Sequence, residues 1–275
     1  MTVTTKGQHT SLPDRATTEC LDAVMTTVCD LFGQLDGWRA SIAAFDESAV
    51  TRTSAAIDEL VERLVVGPLS EPSAAIIGAG FVAQPGFVSD AYWHLAWWLG
   101  EGNTLRAGLG DSVGATRRLD AETNPTSESF RDYTALEWWR VPERTRYRHV
   151  TGPYVDYLCT DDYTLTLSTP VYADDRLLGM VGVDIYVKRI ESILMPWLLG
   201  IGAVATIVNA SGRVVASTDP HRAAGSILRI DGLGEYLHAR VRDEAGSGSN
   251  RAVRLASGGM VYDCVGTTLA LVVGH

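Results

Sequence analysis

The sequence predicts an α+β protein with N-terminal helices followed by two mixed units, each an antiparallel sheet with helices on one side. Three observations lead there. Apolar residues recur at helical spacing near the start of the chain. From Ala74 onward the texture changes to short apolar or alternating runs bounded by Gly, Pro, Asn and Asp. The order of strands, helix and further strands then occurs twice, without a repeat of fixed period.

Taken in order, Leu21, Val24, Met25, Val28, Phe32 and Leu35 form one helical stripe, and Ile57, Leu60, Val61, Leu64 and Val65 a second. The second helix is expected to end near Gly67-Pro68. Each stripe must be buried, against the other helix, the rest of the fold or a second subunit. "AAIIGAGFVA", "AYWHLAWWLG" and "RRLDAE" read as strands, and a short helix is expected around 126–137. "YTLTLSTPVY" and "RLLGMVGVDIYV", joined by "ADDR", read as an antiparallel hairpin. A helix from Lys188 to about Leu199 follows. The second unit reads as a strand pair in "ATIVNASGRVVASTD", a helix in "GLGEYLHARVRDE", the linker "AGSGSN" and three strands to the end.

With 275 residues, 46% of them hydrophobic, the chain can bury a sizeable core. Its formal charge of −10 argues against nonspecific binding to nucleic acid, which needs surplus Lys and Arg. Arg140, Arg144, Arg146 and Arg148 cluster locally and read as a solvated loop. Cys20, Cys29, Cys159 and Cys264 are scattered, with neither zinc spacing nor a disulfide framework. The polar N-terminus shows no apolar signal region. The longest apolar run, residues 193–208, is too short for a membrane helix and is broken by Pro196, Gly200 and Gly202. These features predict a soluble cytoplasmic protein without a membrane anchor.

Catalytic signatures are missing. His94 and His149 are isolated, and no HxH or HExxH occurs. "GLGD" at 108–111 and "GIGAVA" at 200–205 fall short of a dinucleotide loop, and there is no GxSxG elbow or Walker loop. Ser168 and Thr169 lie on a predicted strand with no base beside them. Neither a metal nor a cofactor is expected. The stretch of greatest interest is "EWWRVPERTRYRHVTGPYVDY", residues 137–157, which mixes rings and charges too densely for either core or plain loop.

"WW", then "GPYVDY", "TLTLSTPVY", "GMVGVDI" and "IVNASGRVVAST", in that order and spacing, resemble the double Cache family of ligand sensors over about residues 20–275. The resemblance implies a tail (1–19), N-terminal helices (20–68), a first PAS-like ligand-binding unit (69–187), and a connecting helix with a second, smaller PAS-like unit (188–275). It further implies a pocket in the first unit in which an aromatic pair, a Tyr-x-Asp and a late aspartate hold a ligand's ammonium group. These match Trp138 and Trp139, Tyr154 and Asp156, and Asp184. The arginine that clamps an amino acid's carboxylate is replaced by Leu136, and Arg131 stands where the family has a tyrosine. Keeping the ammonium half without the carboxylate half resembles the amine-recognising branch.

Physically, two carboxylates relieve each other's repulsion by sharing a cation, and indole and phenol faces add about 0.5–2 kcal/mol per ring. Glu137 favours a second cationic centre, and Tyr92 and Trp97 are further candidates for the wall. Arg140 and Arg144 offer the alternative, a carboxylate clamp for an amino acid or organic acid. An enzyme of amine catabolism and a scaffold without ligand are the other classes. The expectation is a non-catalytic sensor of an amine or amino-acid-like ligand, signalling to a separate regulator and able to dimerise through residues 20–65.

Overall fold

The structure, a computed structural model, describes residues 12–46, 51–71, 75–103, 116–155, 160, 162–243 and 252–275. They form two compact units. One runs from Cys29 to Ile190, and the other joins Glu191–His275 to the chain up to Val28.

Helix α1 (Arg15–Asp46) starts before the apolar stripe does. The reason is a cap: Asp14 Oδ1 accepts the Thr17 N–H at 2.8 Å, and that bond holds the Asp14 carboxyl below its ordinary pKa. Helix α2 (Ser54–Leu69) is capped by Thr53 and runs to the Gly67-Pro68 stop read in the sequence. Its buried stripe is Ile57, Val61, Val65 and Leu69.

The first unit is built on a six-stranded antiparallel sheet in the order β3-β2-β1-β6-β5-β4. The strands are β1 (Ile76–Ala83), β2 (Leu95–Leu99), β3 (Arg117–Arg118), β4 (His149–Val155), β5 (Tyr163–Ala173) and β6 (Arg176–Tyr186). β5 and β6 are the long hairpin, turning at Asp174 in the left-handed region. "AYWHLAWWLG" yields only Leu95–Leu99 as strand, and "RRLDAE" only Arg117–Arg118. Residues 92–94 form an irregular turn instead, stitched edge-to-face through Tyr92, Trp93 and Phe130.

The helix expected around 126–137 also moves. A single 3-10 turn covers Tyr133–Ala135, started by Asp132 accepting the Thr134 N–H at 2.9 Å. Leu136 is extended, so the helical run restarts as α3 (Glu137–Thr145).

Alternation sorts the two faces of this sheet. His94, Ala96 and Trp98 share the side of α2, since His94 Nε2 meets Asp58 of that helix at 3.0 Å. Trp97, Gly78, Gly80, Gly182 and Ser168 look the other way, toward α3. That second face carries the cavity.

In the other unit, α4 (Val187–Gly200) leads to β7 (Ala205–Val208), β8 (Val214–Ser217), α5 (Leu233–Asp243), β9 (Ala252–Arg254), β10 (Met260–Asp263) and β11 (Ala270–Val273). The sheet order is β8-β7-β11-β10-β9, packed around Val208, Leu228, Leu237, Val261 and Val272. Arg240 is buried there, paired with Asp263 at 3.0 Å and donating to the carbonyls of Leu269 and Thr267. The linker 245–250 lies outside the described residues.

Candidate ligand-binding site

Two rows of paired residues cross the first sheet. Trp97, Gly80, Gly182 and Ser168 stand side by side, and beside them Leu99, Gly78, Asp184 and Thr166. Glycine in the middle of each row leaves the floor without side chains, and the Trp97 indole lies in the resulting slot. A Cβ at Gly182 would stand 3.4 Å from its ring carbon Cη2, and one at Gly78 only 2.8 Å from its Nε1. Between the indole, the floor and α3 remains a cavity of about 20 Å³, bordered by Trp97, Trp138, Thr166, Ser168, Met180 and Asp184, with Val82 and Leu95 at one end.

Helix α3 forms the roof because of a proline. Pro142 has no N–H to give the carbonyl of Trp138, four residues back. The Ser168 hydroxyl donates to that carbonyl instead, at 2.8 Å, tying α3 to β5 above the cavity. The helix ends at Arg146, left-handed, whose N–H closes on the Pro142 carbonyl at 2.7 Å. Because an α-helix turns about 100° per residue, neighbouring tryptophans cannot face one cavity. Trp138 lines it, stacked on Tyr133 at 6.4 Å; Trp139 is 0% exposed and packs into the aromatic core against Tyr133 at 5.3 Å. Tyr133 completes that core by donating its hydroxyl to the Ala83 carbonyl, and burial raises its pKa.

Asp184 is 1% exposed. The Thr166 hydroxyl donates to its Oδ1 at 2.6 Å. With that proton committed, Thr166 accepts from the Tyr154 hydroxyl at 2.8 Å, giving a relay from Tyr154 through Thr166 to Asp184. The other oxygen, Oδ2, lies over Gly78, 3.3 Å from where a Cβ would be. Among the described residues that border the cavity, none is basic.

The expected site residues therefore divide. Trp138, Asp184 and Trp97 meet at the cavity, and Tyr154 acts one hydrogen bond away. Asp156 lies outside the described residues. Trp139 belongs to the core. Glu137 is not aimed at the cavity: its Oε1 pairs with the buried His149 Nε2 at 3.0 Å, pinning the first turn of α3 to β4. Arg140 and Arg144 occupy the solvent side of α3 and do not line the cavity. Leu136, at the clamp position, packs onto the aromatic core. Tyr92 is 66% exposed, edge-on to Trp93. Sequence reasoning missed Thr166, Met180, the glycine floor and the structural use of Ser168. The signal was there in strand parity, since Thr166, Ser168, Met180 and Gly182 all share a face with Asp184.

Elsewhere, the second unit has an open cleft of about 330 Å³ beside the start of α5, whose charged lining residues Arg229 and Asp231 are exposed. Among the described residues no group of His, Cys, Asp and Glu could hold a metal ion. No described helix is long and apolar enough to cross a membrane.

Residues 111–192 match the family model described as methyl-accepting chemotaxis protein-like, first PDC sensor domain. Several solved structures are similar. Methyl-accepting chemotaxis protein X is 16% identical over 94% of this chain and 94% of that one, with a TM-score of 0.57. The ligand-binding domain of the Pseudomonas fluorescens chemoreceptor CtaA in complex with L-alanine is 16% identical, covering 93% and 92%, TM-score 0.51. The ligand-binding domain of the Pseudomonas aeruginosa amino acid chemoreceptor PctC in complex with GABA is 15% identical, covering 94% and 95%, TM-score 0.52. At such identities the likeness to these structures is one of fold. No curated protein matches the sequence. The chain thus shares its fold with these ligand-binding domains, and within the first unit residues 111–192 are similar to a chemoreceptor-type PDC sensor domain.

Proposed function

We propose that the first unit recognises a small amine through its ammonium group, with Asp184 as the anionic pole and the indoles of Trp97 and Trp138 as walls. The supporting observation is a carboxylate 1% exposed on a cavity whose described lining has no basic side chain. A buried carboxylate is a strong acceptor and anionic pole, and a ligand ammonium complements both. Each indole face adds about 0.5–2 kcal/mol to a cation that has shed its water. Among the described residues no basic side chain borders the cavity to pair with a ligand carboxylate, and Arg140 and Arg144 face solvent, which favours an amine over the α-amino acid or organic acid. The relatives bound to L-alanine and GABA favour the same general chemistry, a primary ammonium, in this fold.

Size limits the ligand. A cavity of about 20 Å³ admits one water-sized group, which suits an ammonium head. The rest of a larger amine has to displace a neighbour, and Met180, unbranched and adaptable, is the side chain able to give way.

A thermal-shift panel of primary amines, amino acids and organic acids tests the proposal. At one hundred times Kd a ligand adds about 2.7 kcal/mol, or about 5–10 °C for a unit of this size. Amines are expected to raise Tm in the wild type and not in Asp184→Asn. A panel in which only organic acids stabilise the protein, or an undiminished amine shift in Asp184→Asn, contradicts it.

A further inference from the structure

Trp97 is 5% exposed, and its Nε1 has no hydrogen-bond partner among the described residues. An indole N–H is a donor only, so a buried one without an acceptor leaves a hydrogen bond unmade. Its direction is fixed by the floor: Nε1 and Asp184 Oδ2 both lie over Gly78, 2.8 and 3.3 Å from the point a Cβ would occupy. Both residues border the same cavity. A donor and an anionic acceptor thus converge on one small space between two indole rings.

We infer that Trp97 is the second polar contact of the pocket and that its N–H donates to an uncharged oxygen of the ligand, two or three bonds from the ammonium held at Asp184. The ligand class is a short amino alcohol. The inference rests on the amine proposal and adds a specificity to it. The oxygen is uncharged because a carboxylate at Trp97 would stand close to the Asp184 carboxylate, with no basic side chain in the described lining to balance the pair. The other polar groups at the cavity are already used. Thr166 donates to Asp184, Tyr154 to Thr166, and Ser168 to the Trp138 carbonyl. The ligand oxygen therefore has Trp97 as its donor.

Ethanolamine and propylamine have the same number of heavy atoms and the same ammonium, and differ in whether the far end can accept a hydrogen bond. Titration calorimetry of the wild-type chain is expected to favour ethanolamine over propylamine by tenfold or more, because sites that pair a buried donor discriminate strongly against a ligand lacking the acceptor. Trp97→Phe keeps a ring in the slot and removes the N–H. In that variant the ratio is expected to fall to near one, whatever loss of affinity the two amines share from exchanging the indole for a phenyl ring. A readout free of mutation is the set of seven indole N–H signals in a ¹H–¹⁵N spectrum. One of them should move further downfield with ethanolamine than with propylamine, which lacks the acceptor. Equal affinities in the wild type, or a preference that survives in Trp97→Phe, overturns the role of Trp97 and leaves the amine proposal standing. Glycine binding more tightly than ethanolamine overturns the uncharged oxygen. If neither amine binds while other ligands do, the amine proposal and this inference fall together.

Discussion

Single residues set the chemistry of the pocket, and their effects separate cleanly. Ser168→Ala removes the only donor shown to replace the N–H that Pro142 lacks, leaving the buried Trp138 carbonyl unpaired. The expected cost is about 1–3 kcal/mol in urea unfolding. Pro142→Ala restores a helical donor to that carbonyl, so the double variant Pro142→Ala/Ser168→Ala should recover part of the loss. Failure of the double variant to recover any stability contradicts the exchange of donors described here. Gly78→Ala acts differently. Its methyl would sit 2.8 Å from Trp97 Nε1 and 3.3 Å from Asp184 Oδ2, between the two groups proposed to meet the ligand. Amine binding should be lost in a protein that still unfolds cooperatively; unchanged affinity there would move the site elsewhere.

At the scale of elements, the sheet is held to its helices by polar pins as well as by apolar burial. Asp58 of α2 binds both His94 Nε2 at 3.0 Å and Arg118 at 2.9 Å. Burial pushes the Asp58 carboxyl up, but hydrogen bonds from His94 and Arg118 outweigh it and hold the pKa below the ordinary 3.8. A depressed folded pKa stabilises the protein above the unfolded value, and that stability is lost as pH falls through the folded one. Asp58→Asn should therefore cost about 1–2 kcal/mol at neutral pH, and its gap from the wild type should narrow as pH drops below about 3.8. A gap constant from pH 7 to pH 3 contradicts the charge pairing.

Most of these elements are legible in the sequence, because α1, α2 and the β5–β6 hairpin have long, regular apolar patterns. Helix α3 is not, since Pro142 interrupts it and Glu137, Arg140 and Arg144 disguise its start as loop. Without that helix in place, Trp138 and Trp139 read as a matched pair, whereas helical rotation sends one to the cavity and the other to the core. Trp97 was legible only as one of several strand aromatics that could line the wall. Its place in the pocket depends on the β1–β2–β6 register, and register is a non-local property that no short window contains. Glu137 and Tyr92 misled for a similar reason: their partners, His149 and Trp93, are fixed by tertiary packing and not by composition.

Across the whole molecule, two sheets of the same general plan carry different contents. The first has a floor of glycines and a buried acid at a cavity. The second fills the middle of its unit with Arg240, whose guanidinium already has Asp263 and two carbonyls as partners. Removing one member of such a buried pair costs about 3–5 kcal/mol, so Arg240→Met should destabilise the second unit markedly, as seen in its own amide exchange. Amine-induced protection from hydrogen exchange is expected in β1, β2, α3, β5 and β6 and not in β7–β11. Protection centred on the cleft beside α5 would assign the ligand to the other unit.

A crystal structure grown with an amine that raises Tm tests the central claim most directly. The amine nitrogen is expected within hydrogen-bond distance of the Asp184 carboxylate, between the rings of Trp97 and Trp138. Density for the amine in any other place, or an Asp184 carboxylate turned away from it, contradicts the assignment of Asp184 as the anionic pole.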